Sequence, residues 1–566
     1  MTNRSIGTPY KQFHDSGRFD AIVIGSGIGG IGTAALLAKA AGQRVLVLEK
    51  HYTAGGFTHV FRRPGFEWDV GVHYVGQVHT PGSPAHALFE YLAEGRLSWQ
   101  AMPEVYDRVK IDGLRFDYVS GREHLRDALV GTFPRERSAI DRYFKAIRQC
   151  MRRLPFYFVE KTLPPLIGRI LGSGLRAPFL RFARRTTGQV LDELGASREL
   201  TAVLTAQWFD YGLPPGQSSF GIHAVIADHY FGGAAYPIGG ASQIAASVLP
   251  TIERAGGAVV VSADVDRILV DGTRAVGVRM IDGREFRANA IVSDAGIRTT
   301  MDRLLGEGAP KEAQHVAART RSLPATSGHL CLYAGLTFPA AAPKLDPANL
   351  WIHPSLDFDR NLSAFTADLD APFPFLYISF PSAKDPSFEA RYPNRHTIEV
   401  VTLAPYERFS QWAGSDWKRR PEEYEATKKR LAERLLVELY RQVPAASGMV
   451  TTWELSTPLS TQHFANAPHG ETYGLAHTPE RFESRDLRPH TPIRNLFLTG
   501  QDIGMVGVVG ALSGAVVTAS AMLRRNMFGV VSKAARRGAR LNSGPVPGSW
   551  TTPIASISAP GTNGRG

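Results

Sequence analysis

Along its first fifty residues the chain changes hydrophobic period twice. Residues 20–24 (DAIVI) form a short apolar run after one acid, of strand length. Residues 28–41 are small and apolar over four turns, which predicts a helix packed on most of its surface, and residues 44–48 (RVLVL) are apolar again. Strand, glycine turn (GSGIGG, 25–30), helix and strand make a βαβ unit. Farther on, residues 77–130 alternate short apolar runs with polar turns, and 131–200 read as helical. A glycine turn (YPIGG, 236–240) leads to a helix over about 242–255. The runs at 258–261, 265–272 and 276–286 read as strands joined by Asp-Gly turns. Residues 422–442 carry a clear helical period, whereas 301–450 are otherwise mixed. The stretch WDVGVHYVG (68–76) reads as a strand, with Asp69, Gly71, His73 and Val75 on one side and Trp68, Val70, Val72 and Tyr74 on the other. Residues 503–523 are uncharged and long enough to span a bilayer. Eleven of these 21 are Gly, Ala, Ser or Thr, so the expectation is a buried helix with a glycine-rich entrance.

A length of 566 residues implies two or three structural units. The excess of 64 basic over 52 acidic residues, net +12, favours anionic partners, but no nucleic-acid motif accompanies it. Two distant cysteines, Cys150 and Cys331, exclude a disulfide framework and suit a reducing compartment. The N-terminus has no apolar run of the signal-peptide kind. Between 142 and 185 stand eleven Lys or Arg and a single acid, Glu160, interleaved with apolar groups (LPFYFV, PPLIGRILGSGL). That mixture predicts a monotopic surface resting on anionic lipid, assisted by the basic residues 533–540.

The candidate chemistry begins at the glycine turn. Gly25, Ser26, Gly27, Gly29 and Gly30 fit G-x-G-x-x-G: Gly25 for the turn, Gly27 for approach of a pyrophosphate, Gly30 for packing of helix on strand, with the helix N-terminus aimed at phosphate. Glu49, nineteen residues after Gly30 at the end of the second strand, is placed to bind ribose hydroxyls and repels a 2′-phosphate. Lys50 adjoins it. A second glycine pair, Gly55-Gly56, and a distant strand-turn-helix, NLFLTGQDIG (495–504) followed by Gly507 and Val508, suit an extended flavin dinucleotide better than NAD. Gly500 and Asp502 would reach its pyrophosphate or ribitol, the 507–511 backbone its ring, and Val265 its adenine. His73, beside the gap expected at Gly71, is the candidate for orienting the ring or relaying a proton, since imidazole titrates near neutrality. Asp210, Tyr211 and His463 are further proton candidates whose ordinary reading is structural. No Gly-x-Ser-x-Gly elbow or metal-spaced histidine cluster is present, consistent with a cofactor that carries the hard step.

On these residues the chain resembles the phytoene desaturase/carotenoid isomerase superfamily of FAD oxidoreductases, and within it the retinol saturase branch. The resembling blocks are GSGIGG, LAKAAGQRVLVLEKHYTAGG, GFEWDVGVHYVGQV, DHYFGGAAYPIGGASQ, IVSDAGI, STPLSTQHFANAPHGETYGL and LFLTGQDIGMVGVVGALSGA, spread over about 19 to 530. The resemblance implies an α/β fold: a Rossmann-type FAD-binding domain (three-layer ββα) with a discontinuous α+β substrate domain inserted. It also implies FAD, a lipophilic isoprenoid-like polyene substrate, and saturation, desaturation or isomerisation of its conjugated double bonds. The expected division is a flexible leader (1–17), an FAD unit (18–130, 235–300, 451–530), a substrate and membrane-facing unit (131–234, 301–450) and a disordered tail (541–566). No second Rossmann unit is evident, so the electrons come from NAD(P)H or another external donor. The expected location is cytoplasmic and peripheral on a membrane. The competing readings are an FAD amine oxidase-like enzyme and a non-catalytic flavin-binding scaffold.

Overall fold

The computed structural model describes residues 5–15, 17–306, 308–339 and 345–542. Most of the tail expected to be disordered (543–566) lies outside these. The strand Phe19–Ile24 sits at the centre of an eight-stranded sheet. Val45–Leu48 and Ala258–Val261 follow on one side; Glu285–Ser293 lies on the other, all parallel to it. Arg274–Met280 and Val265–Asp271 extend the sheet as an antiparallel meander, and Leu496–Leu498 adds a late parallel partner to Glu285–Ser293. Parallel strands need cover on both faces, which is why 20–24 and 44–48 read as unbroken apolar runs. The helix Ile28–Ala41 provides part of that cover. It is buried from Ile28 to Ala38 because the helices Ser242–Glu253 and Gly507–Leu523 enclose it. The second contact is close: a Cβ at Gly32 would lie 2.5 Å from Leu512 Cδ1. The helix ends at Gly42, whose φ of +62° provides a left-handed cap.

A second, seven-stranded sheet orders Val450–Ser456, Gly328–Thr337, Arg395–Ala404, Leu376–Ser379, Asn349–His353, Val105–Ile111 and Leu114–Val119. Its sheet membership cuts across the expected division of the chain. Residues 105–119 and 451–456, grouped from sequence with the nucleotide unit, lie at the two edges of this sheet. The leader also differs from expectation. Thr8–Pro9 pairs in parallel with Val260–Val261, the Tyr10 hydroxyl bonds Asp282, and Ile6 N–H donates to Thr53 Oγ1.

The stretch 68–76 is not one strand. Phe66–Asp69 pairs with Val60–Arg63, Val75–Gly76 pairs with Ala234–Pro237, and 70–74 between them is irregular. The ladder stops at Asp69 because its carboxylate accepts the Ala241 N–H and the Tyr236 hydroxyl, tying the chain to the turn at 236–240 instead. The space expected beside Gly71 is filled by Phe57, whose ring would lie 3.0 Å from a Cβ there.

The basic segment folds into Arg137–Met151, Leu154–Thr162 and Pro165–Ala183. Two of its cations are internal: Lys161 Nζ donates to the Ile503 carbonyl and Arg176 to the carbonyls of Phe482 and Ser484. Arg142, Lys145, Arg148, Arg152, Arg181 and Arg184 are exposed. Among the described residues no single helix is long and apolar enough to cross a membrane; Gly507–Leu523 and Met527–Arg536 would qualify only together, and they bend by 113°.

Candidate functional site

A cavity of about 940 Å³ opens between the two sheets. Its floor is the glycine turn after Phe19–Ile24, and its sides come from Glu49, Lys50, Gly55, Gly56, Val265, Asp502, Gly507 and Val508. Pieces near residues 25, 265 and 502 therefore share one space. Contacts tie the late piece to the first: Thr33 and Thr499 hydroxyls are 2.8 Å apart, and a Cβ on Gly29 would meet Gly500 Cα at 2.4 Å. Gly56 packs its α-carbon side on Gly27, where a Cβ would come within 3.0 Å of the Gly27 Cα.

Three residues expected at the cofactor lie just behind the wall. The Ser26 hydroxyl and amide both donate to Glu49 Oε2, at 2.7 and 2.8 Å, so Ser26 sets the carboxylate rather than lining the cavity. Glu49 Oε1 takes the His51 N–H at 2.7 Å. Gly30 and Gly500 are pressed against the protein itself. The need for glycine at 27 also has a second cause: a Cβ there would lie 2.6 Å from Asp294 Oδ2.

Asp294 is one site residue that sequence reasoning missed. It follows the strand Glu285–Ser293, accepts the Gly30 N–H at 2.8 Å, and lies beneath the turn where phosphates are expected. Burial pushes its carboxyl up to about 8, against the opposing Gly30 hydrogen bond. Its only sequence signal was its place in SDAGI. Asp502 bonds the Ile297 N–H through Oδ2, while its buried Oδ1 has no hydrogen-bond partner, with Arg481 Nη1 3.8 Å away. Asp502 lines the cavity, although Oδ1 itself is buried beside Arg481. Lys50 reaches Asn466 Oδ1 at 3.3 Å and Asp264 Oδ2 at 3.4 Å.

Deeper in, the wall becomes aromatic: Phe209, Tyr333, Trp351, Tyr377 and Tyr473 line it together with His73, His329 and Asp210. His73 stands edge-on to Tyr377, with centroids 5.0 Å apart. Burial, then the nearby Lys384 ammonium, lowers its imidazole to about 3, so the ring is neutral at physiological pH. Asp210 also lines the wall, is raised by burial, and accepts from the Tyr74 hydroxyl at 3.2 Å. Two other candidates are elsewhere. Tyr211 points away and bonds His223. His463 is exposed and stacks on Trp417 beside the cavity mouth.

The glycine turn, the ribose-type acid and the distant third limb closing on one cavity define a dinucleotide-binding oxidoreductase of two-sheet architecture. Solved structures show the same fold: a putrescine oxidase bound to putrescine (TM-score 0.59, 15% identity, 90% of this chain and 100% of that one) and an oxidoreductase from Methanosarcina mazei (0.55, 17%, 88% and 98%). The NAD(P)-binding Rossmann-like domain family matches residues 23–93. The all-trans-retinol 13,14-reductase of Danio rerio is 36% identical over 90% of this chain and 86% of its own length. The inactive all-trans-retinol 13,14-reductase of the same organism is 31% identical (89% and 86%), and the chloroplastic prolycopene isomerase of Arabidopsis thaliana 28% (81% and 74%). The chain belongs to the all-trans-retinol 13,14-reductase family.

Proposed function

We propose that the cavity holds FAD and that the protein reduces a conjugated C=C bond of a lipophilic, retinoid- or carotenoid-like polyene. The observation that carries this reading is the meeting of Glu49, Val265 and Asp502 on one cavity. Glu49 would hold ribose hydroxyls, the 27–29 turn and the N-terminus of Ile28–Ala41 the pyrophosphate, Asp502 the ribitol and the N-terminus of Gly507–Leu523 the ring. A bound reduced flavin supplies hydride; the protein orients the polyene along the aromatic wall, excludes water and places a proton at His73. The 23–93 match coincides with the glycine-turn unit, so it marks no second nucleotide site, and the reducing equivalents come from an external donor, NAD(P)H or another.

The lipophilic substrate arrives from a membrane surface. The helix Pro165–Ala183 is amphipathic in the inverse sense. Gly168, Gly172 and Arg176 face inward, against Arg488, Glu160 and buried carbonyls, while Ile167, Ile170 and Leu171 face out, Ile170 being 80% exposed. Phe156 and Val159 of the preceding helix are exposed as well. Apolar groups at such spacing, flanked by exposed arginines, suit the headgroup boundary of anionic lipid.

Reconstitution with FAD, anaerobic reduction and addition of retinol or a carotenoid tests the reading. Reoxidation of the flavin by the polyene is expected. Reduction of oxidised flavin by an amine would instead support an amine oxidase-like enzyme. A flavin that reacts with neither would support a silent scaffold, as the inactive relative's name suggests for that protein.

A further inference from the structure

Behind His73 lies a buried polar network that touches no part of the dinucleotide site. His73 Nδ1 is sealed from solvent, while the rest of the ring forms cavity wall and leaves the side chain 17% exposed. Nδ1 stands 2.9 Å from Glu399 Oε2, a hydrogen-bonding separation although not a well-aligned one, and neither atom has another partner. Two lone pairs cannot face each other so closely in a dry interior; one of the two atoms carries a proton. Glu399 projects from the strand Arg395–Ala404, is fully buried, and accepts the Asp69 N–H at 2.9 Å through Oε1. Lys384 closes the network. Its Nζ donates to the His73 carbonyl at 2.9 Å, Asn349 Oδ1 at 2.5 Å and Ser379 Oγ at 2.7 Å. All three of its protons are used, so the ammonium is fixed near Glu399 without bonding to it.

We propose that Glu399 supplies the proton that His73 delivers to the substrate, His73 acting as catalytic residue through Nε2 and Glu399 as the positioning and proton-supplying residue behind Nδ1. The proposal rests on the polyene-reduction reading above. The step balances. A bound reduced flavin would supply hydride to one alkene carbon, being oxidised in turn, and the π electron pair would move to the neighbouring carbon. That carbon takes the proton from His73 Nε2 while Nδ1 takes the proton of the Glu399 carboxyl. The imidazole exchanges tautomers without becoming cationic, and the negative charge comes to rest on Glu399, in the field of Lys384.

The protonation states agree with this. Burial raises Glu399 to about 8, the Lys384 ammonium opposing, while His73 is held near 3. Asp69, Tyr236, Cys331 and Tyr333 face Glu399, and all four are raised by burial. Tyr377 and His329 face His73, the first raised and the second lowered to about 4, both by burial. Lys384 is lowered to about 7. Of the groups facing the pair, Glu399 and Lys384 are brought near neutrality, and Asp69 is shifted upward in the same direction by burial and by Glu399.

The test is the tautomer of His73 in the wild-type protein, read by nitrogen NMR of 15N-histidine-labelled protein with and without FAD and assigned by the signal lost in His73→Asn. A neutral ring protonated on Nε2 below about pH 7, switching to Nδ1 above about pH 9 as Glu399 ionises, is expected. Glu399→Gln can donate to Nδ1 but has no proton to give up. It fixes the Nε2–H tautomer at every pH and slows polyene reduction by about 10²- to 10⁴-fold with FAD affinity unchanged. A wild-type tautomer independent of pH, or a Glu399→Gln enzyme as fast as wild type, overturns the proposal while leaving the polyene reading intact. A wild-type protein that reduces no polyene overturns both. Should Glu399→Gln not fold, the wild-type titration alone decides the pairing.

Discussion

Asp294 places a carboxyl under a turn built for phosphate, and its protonation decides whether that is tolerable. In the unfolded chain an aspartate titrates near 4. In the folded protein it titrates near 8. Between those values the folded state holds a proton the unfolded state lacks, so stability falls as pH rises from about 4 and the penalty is complete by about pH 8. Asp294→Asn keeps the acceptor for the Gly30 N–H and removes the titration. Urea denaturation at pH 8 is expected to show the variant more stable by about 1–3 kcal/mol, with the difference shrinking toward pH 4. FAD affinity in the wild type is expected to weaken above pH 8, where two anions meet, and to do so less in the variant. Glu49→Ala removes the ribose acceptor and frees the Ser26 donors; a fluorescence titration is expected to show FAD binding about 10- to 100-fold weaker. Glu49 was legible in the sequence because its distance from Gly30 is set by one helix and one strand. Asp294, Glu399 and Lys384 were not. Asp294 meets Gly30 across 264 residues and Lys384 meets His73 across 311, through pairings that no local spacing encodes.

Among elements, those with a strong local period were readable. The helix Glu422–Gln442 and the strand Val265–Asp271 stand where the sequence placed them, whereas the run 276–286 is divided by a turn at Asp282-Gly283. The seven-stranded sheet was not readable, because strands such as Gly328–Thr337 are buried on both faces and show no alternation. At 68–76 the opposite happened: alternation was present, but the hydrogen bonds of Asp69 took the backbone out of the ladder. The helix pair Ile28–Ala41 and Gly507–Leu523 carries the largest mechanical consequence, since it joins the first and last limbs of the cofactor site. Gly32→Val would force Leu512 away. It is expected to lower stability by about 1–3 kcal/mol in urea denaturation and to weaken FAD binding as well, by separating Asp502 from the glycine turn.

For the whole molecule, the proposed membrane contact rests on the outward apolar stripe of Pro165–Ala183 and not on positive charge alone. Ile170→Glu with Leu171→Glu is expected to abolish sedimentation with anionic phospholipid vesicles while leaving the melting temperature within about 2 °C, because neither side chain is buried. The basic and apolar mixture of 142–185 suggested this surface from sequence, but the sequence could not show that Lys161 and Arg176 turn inward to cap carbonyls. The pairing of Phe19–Ile24 with Glu285–Ser293, and of that strand with Leu496–Leu498, has a further consequence in time. On a ribosome adding roughly 5–20 residues per second, the nucleotide turn emerges early and waits about 20 to 90 seconds for its final strand. A cofactor gripped by all of these limbs would load only at the end of synthesis, and until then the strand Glu285–Ser293 has one apolar edge unpaired.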